Sequence, residues 1–161
     1  MTIVQSTPQT LVWVAIDVAK DRHEALIEAP GWRSRKRVRV QNSAEDFRSF
    51  AAFLHSLGFP VRIGFEPTSN YHRAFAYFLH AEGFELQLIS SLALARTREA
   101  LHNSWDKNDP KDAQVILHLL KGGVTQHYHD PMVHNLNDLQ ELSKTHHQVS
   151  LPKRRVPNTD Y

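Results

Sequence analysis

Cysteine is absent from the 161 residues. That absence excludes a disulfide-stapled scaffold, a thiol nucleophile and any cysteine-ligated zinc or iron–sulfur site. Glycine is scarce, at six residues, and none of them builds a phosphate-cradling loop of either familiar pattern. An actin-like or sugar-kinase-like ATPase needs such turns, and Asp17-Val18-Ala19-Lys20 lacks them, which leaves that reading in third place. The longest apolar run, Leu11 to Ile16, is too short to span a bilayer. The first basic residue is Lys20, so no secretory signal is expected. What remains is 41% hydrophobic and 22% charged, a globular composition. A chain of 18.5 kDa is the size of one domain, able to bury roughly 70% of its unfolded surface. The expectation is a soluble, cytoplasmic protein.

Total charge says little, since 19 Lys and Arg face 17 Asp and Glu. Its distribution says more. Between Lys20 and Val40 stand seven basic and three acidic residues, a net +4 against −2 for the remainder. Arg33, Arg35, Arg37 and Arg39 alternate, so an extended strand would project all four from one face. A row of guanidiniums suits a phosphate backbone. It equally suits an edge strand that uses charge to block aggregation.

The hydrophobic pattern predicts strands over 11–18, 22–28 and 33–41, with Pro30-Gly31 as a turn. Ser43-x-x-Asp46 reads as a capping box opening a helix whose stripe is Phe47, Phe50, Ala51, Leu54 and Leu57. Further strands are expected over 61–66 and 84–89. Helices are expected over 70–81, 92–101, 110–121 and 135–148, with a polar loop at 102–108. Residues 1–10 are expected to fray and 149–161 to form a disordered basic tail. Three strands followed by alternating helix and strand indicate an α/β domain with a mixed sheet over 11–148. That order matches ribonuclease-H-like folds.

Asp17 and Glu66 each close an otherwise apolar strand. An ionised carboxylate there is costly unless paired or bound to a cation, and the carboxyl ends of strands are where open α/β sheets bind ligands. Asp109-Pro110-Lys111-Asp112 reads first as a helix start, with Asp109 as N-cap and Pro110 at the first helical position. Asp112 also shares a face with Ile116 and Leu119, which should turn it to the packed side. Four oxygen donors with no soft ligand suit Mg²⁺ or Mn²⁺, and two such ions are suited to phosphodiester displacement. The histidines His127, His129, His134, His146 and His147 fit no zinc spacing. The Ala74, Phe75, Phe78, Leu79 stripe reads as core.

Three blocks now stand together: Ala15-Ile16-Asp17-Val18-Ala19-Lys20, Gly64-Phe65-Glu66-Pro67-Thr68-Ser69-Asn70-Tyr71-His72-Arg73, and Lys107 to Ala113. In order and content they resemble the DEDD transposases of insertion sequence family 110, relatives of the pilin-gene invertases. The resemblance runs from about Leu11 to Gln148. It implies a catalytic domain similar to the Holliday-junction resolvase RuvC, with Asp17, Glu66, Asp109 and Asp112 as catalytic, metal-binding acids. It further implies DNA as partner, a structured guide RNA, a homo-oligomer and a bacterial, nucleoid-associated setting. Lys107 joins the four arginines as an expected nucleic-acid contact.

Two departures stand out. Ser69 occupies a position that is often glycine in the family. Family members also continue through a long helix into a second domain carrying a nucleophilic serine, whereas this sequence ends at Tyr161. The expectation is therefore a truncated catalytic domain of a transposase. The alternative is a non-catalytic fragment that binds nucleic acid or caps oligomers of the full-length protein.

Overall fold

A computed structural model describes residues 10–101 and 111–129. The strands are β1 (Val12–Asp17), β2 (Arg22–Glu28), β3 (Lys36–Gln41), β4 (Val61–Phe65), β5 (Glu85–Leu88) and β6 (Gln126–His127), and the helices are α1 (Ala44–Ser56), α2 (Arg73–Ala81), α3 (Ser91–Leu101) and α4 (Lys111–Lys121). They form one mixed sheet in the order β3-β2-β1-β4-β5-β6. The first three strands make an antiparallel meander, β4 and β5 add in parallel on the far side of β1, and β6 closes antiparallel. This is the ribonuclease-H-like order expected from the sequence. Chain contacts group residues 129–161 as a second unit, of which only His129 is described. Among the described residues no helix is long and apolar enough to cross a membrane.

Alternation assigns the two faces of the sheet. Val12, Val14 and Ile16 of β1 join Ala25, Ile27, Val40, Ile63 and Phe65 in a core closed by Phe47, Phe50 and Leu54 of α1 and Phe75 and Leu79 of α2. The opposite face carries Ala15 and Leu26, packed with Leu94 of α3 and Ala113, Ile116, Leu117 and Leu120 of α4. β1 is thus covered on both sides, which is why it reads as an almost unbroken apolar run.

Small side chains let α4 come close. Ala15 and Gly64 are register partners in the β1–β4 pair. A Cβ built on Gly64 would stand 3.0 Å from a Leu120 methyl carbon, so glycine is the residue that admits this helix over the sheet.

Helix α1 opens as anticipated, with Ser43 Oγ accepting from the Asp46 N–H at 3.3 Å. The reciprocal bond differs from a standard capping box. The Asp46 carboxylate reaches past Ser43 and accepts from Gln41 N–H at 2.8 Å. Helix α2 starts at Arg73 rather than residue 70, because Ser69 adopts a positive φ of 46° and turns close from Tyr71 N to Thr68 O and from Arg73 N to Asn70 O. Its stripe is core as expected at Phe75 and Leu79, whereas Ala74 is exposed and Ala76 takes its buried place.

Strand β3 is shorter than the predicted 33–41. β2 ends at Glu28, and continuing the ladder would set Arg33 against Pro30, which has no N–H to donate. Arg33 and Ser34 instead sit in a bend. Arg33 and Arg35 therefore both precede the strand, and of the four arginines Arg37 and Arg39 lie within it. Strand β6 was not anticipated. It follows the Gly122-Gly123 stop, and Thr125 Oγ1 donates to Gln87 Oε1 at 2.9 Å beside it. The helix expected over 135–148, the loop at 102–108 and both terminal segments fall outside the described residues, apart from exposed Thr10.

Candidate active site

The parallel β1–β4 pair sets Ile16 beside Phe65, so the next residue on each chain, Asp17 and Glu66, leaves the sheet at the same edge. Both continue the row of Ala15 and Gly64, on the face that carries α4, and both are half-buried. Leu120 lies against Gly64, eight residues along α4 from Asp112, about 12 Å at a helical rise. The helix runs back along β1 and brings its first turn over the acids.

Three carboxylates act on Asp17. Burial pushes its carboxyl above the usual aspartate range, and the charges of Asp112, Glu66 and Glu24 push the same way, opposed by Arg98. Asp17, Glu66 and Asp112 are therefore brought together, from two strand ends and a helix start separated by 95 residues of sequence. Asp112 keeps a side-chain exposure of 42% while Ile116 and Leu119 are buried. Its carboxylate stands at the mouth of the packed face rather than inside it. Asp109 and Lys107 lie outside the described residues.

Two participants escaped the sequence reading. Glu24 is the direct cross-strand partner of Asp17 in the β1–β2 hairpin. Pairing the two predicted strands about their short turn would have found it. Its Oε1 accepts from Arg39 Nε at 2.9 Å, while Oε2 is buried without a hydrogen-bond partner among the described residues. Arg98 of α3 reaches across to α4, with Nη2 at 2.7 Å from Asp112 Oδ1; no local pattern in the sequence announces it.

The basic row is partly neutralised from within. Arg39 pairs with Glu24, and Arg35 Nε donates to Glu28 Oε2 at 3.0 Å, with Lys121 on the other oxygen of Glu28. Arg37 and Arg39 lie on the same exposed face of β3, and Arg33 is exposed in the preceding bend. His127 is occupied structurally, with Nδ1 at 3.0 Å from Gln87 Nε2. His134, His146 and His147 lie outside the described residues.

The sheet order is that of a ribonuclease-H-like fold, and the family comparison is consistent with it. The family model for DEDD transposases of insertion sequence family 110, described as a transposase, matches residues 14–158. The chain belongs to that family. No curated protein matches the chain. As a transposase it has DNA as a partner. Transposases of this family generally use divalent metals, and the donor chemistry here fits such an ion. All the acids offer hard oxygens, their mutual repulsion is what a cation would relieve, and Glu24 has a buried oxygen with no hydrogen-bond partner among the described residues. Among the described residues, no three Asp, Glu, His or Cys side chains stand close enough to hold a metal as they are placed.

Proposed function

We propose that this transposase domain acts on DNA phosphodiesters with two divalent ions, Mg²⁺ or Mn²⁺, held by Asp17, Glu66, Asp109 and Asp112. The observation that carries the reading is the shared edge of Asp17 and Glu66, with Asp112 close enough for its charge to raise the Asp17 carboxyl. When bound, such ions polarise the phosphodiester and stabilise both its attacking and leaving oxygens. The chain's own contribution is rigid placement. β1 and β4 are fixed by the ladder and by cores on both faces, and Gly64 holds α4 in register. Arg33, Arg35, Arg37, Arg39 and Lys107 supply phosphate contacts that guide the nucleic acid across β3. A structured guide RNA and a homo-oligomer complete the working assembly.

Metal binding tests the site directly. Ions at a hundredfold excess over the dissociation constant add about 2.7 kcal/mol of stability, so Mg²⁺ or Mn²⁺ should raise the melting temperature. Asp17→Asn or Glu66→Gln should abolish that rise, and equal shifts in all three proteins would sink the assignment. The basic face has its own test. Replacing Arg33, Arg35, Arg37 and Arg39 with Gln should weaken DNA binding across sequences and flatten its salt dependence. An unchanged slope would return β3 to edge protection.

A further inference from the structure

Asp112, in the first turn of α4, meets a cation of the neighbouring helix directly. Arg98 holds Asp112 Oδ1 through Nη2 at 2.7 Å. Its Nε is buried and without a hydrogen-bond partner among the described residues. The guanidinium therefore does not grip the carboxylate through its Nε–Nη2 edge, one of the strong two-pronged forms of this pair. Both side chains are about two-fifths exposed, 43% and 42%, and pairs of that kind exchange readily.

The charge of Arg98 reaches beyond Asp112. It is the charge that lowers the Asp17 carboxyl, against Asp112, Glu66 and Glu24, which raise it. Arg98 thus supplies part of the neutralisation that a divalent ion would supply in full. The helix that carries it is lightly anchored, since α3 buries only Leu94 of its eleven residues. By contrast α4, which carries Asp112, buries seven of its eleven. When the two separate, α3 is the one that can yield.

We infer that Arg98 is an internal counter-ion of the site, which competes with a divalent cation for the Asp112 carboxylate and so sets how tightly the site takes metal. The inference rests on the metal-dependent reading above. The assignment puts the guanidinium on an Asp112 oxygen that a cation would otherwise take. It also separates Arg98 from a merely structural ion pair by sign. Removing a structural pair loosens Asp112 and weakens metal binding, whereas removing a competitor strengthens it.

The experiment measures Mn²⁺ affinity by calorimetry, and melting temperature with and without Mn²⁺, on the full chain. The proteins compared are the wild type, Arg98→Gln, Arg98→Met and Asp112→Asn. Arg98→Met keeps the aliphatic stem and serves if the glutamine variant folds poorly. The neutral variants should bind Mn²⁺ about two- to fivefold more tightly than wild type, within the range expected for releasing one half-exposed ion pair. They should melt lower without metal, and their gain in affinity should shrink as salt rises. Unchanged or weaker binding in both neutral variants, with binding lost in Asp112→Asn, would overturn the role of Arg98 and leave the metal site standing. No Mn²⁺ binding in any of the four would overturn the metal site itself, and the counter-ion with it.

Discussion

Gly64 offers the sharpest test of how the site is positioned. A Cβ at that residue would lie 3.0 and 3.1 Å from the two Leu120 methyl carbons and 3.3 Å from its Cβ, all inside the ~3.5–4.0 Å optimum for carbon pairs. Leu120 is only 2% exposed, so its methyls have no solvent to swing into. Two opposing effects bear on Gly64→Ala. The alanine restricts the unfolded chain and returns about 0.5–1 kcal/mol, while overpacking costs about 1–3 kcal/mol. The overpacking is the larger effect, for a net loss of up to about 2.5 kcal/mol. Leu120→Ala alone leaves a cavity and should cost about 2–5 kcal/mol. In the double variant the new methyl enters that cavity. The combined loss should then fall short of the sum by about 1–3 kcal/mol. Urea denaturation of the four proteins without metal gives the cycle. Additivity within about 0.5 kcal/mol would refute the claim that this contact holds α4, and with it Asp112, in place.

Asp17→Asn should stabilise the metal-free protein, because it removes a carboxylate that burial and three neighbours disfavour. The folded carboxyl titrates above the ordinary aspartate value of 3.8, so the advantage of the variant should be full above that raised pKa and fade as pH falls toward 3.8. An advantage that persists unchanged at that acid limit would contradict the assigned cause. His23 is fully buried, stacks on Phe75 with centroids 4.7 Å apart, and accepts from Ala19 N–H at 3.3 Å. Burial lowers its pKa from 6.5, with Asn42 acting the other way. The contribution of the neutral ring is therefore present above pH 6.5 and lost as pH falls from there through the lower folded pKa. His23→Phe should cost about 1 kcal/mol at neutral pH and flatten that part of the pH profile, as chemical denaturation at a series of pH values would show. Ser69 sits at φ 46°, which L-residues resist. Ser69→Gly should change stability by about 0 to +1 kcal/mol and Ser69→Val should lower it by about 1–2 kcal/mol; equal melting temperatures would argue against strain at that turn.

Much of this was legible in the sequence where short-range pattern and burial coincide. β1 announces itself because both its faces are covered, and α1 because its apolar stripe faces one core. Asp17, Glu66 and Asp112 were legible as acids in apolar company, and the fold then explains why they meet. Glu24 was missed because its role arises from ladder register, which single-strand pattern does not carry. Arg98 was missed because α3 has a weak stripe and its partner lies on another helix. Arg33 was misplaced because alternation of arginines looks the same in a strand and in the bend before it; Pro30 decides the matter through the partner strand. Ser69 was legible only as a departure from glycine, and the backbone supplies the reason. Asp109 and Lys107 are outside the described residues.

The mixed order of the sheet also fixes when the site can come into being. Asp17 and Glu24 are paired across a hairpin only seven positions apart, whereas Ile16 and Phe65 pair across 49. Chain closure of the longer span costs about 1.7 kcal/mol more entropy, so the β1–β2–β3 meander can form early and the crossover to β4 must follow. Until it does, Asp17 has no Glu66 beside it, and α4 has no Gly64 to rest on. The repulsion from Asp112 and Glu66 is thus met only once the crossover has closed, whereas that of Glu24 is already present in the hairpin. Neutralising Asp17 should accordingly slow unfolding while leaving the folding rate nearly unchanged. The charge on Asp17 would then act on how long the fold lasts, not on how quickly it is reached.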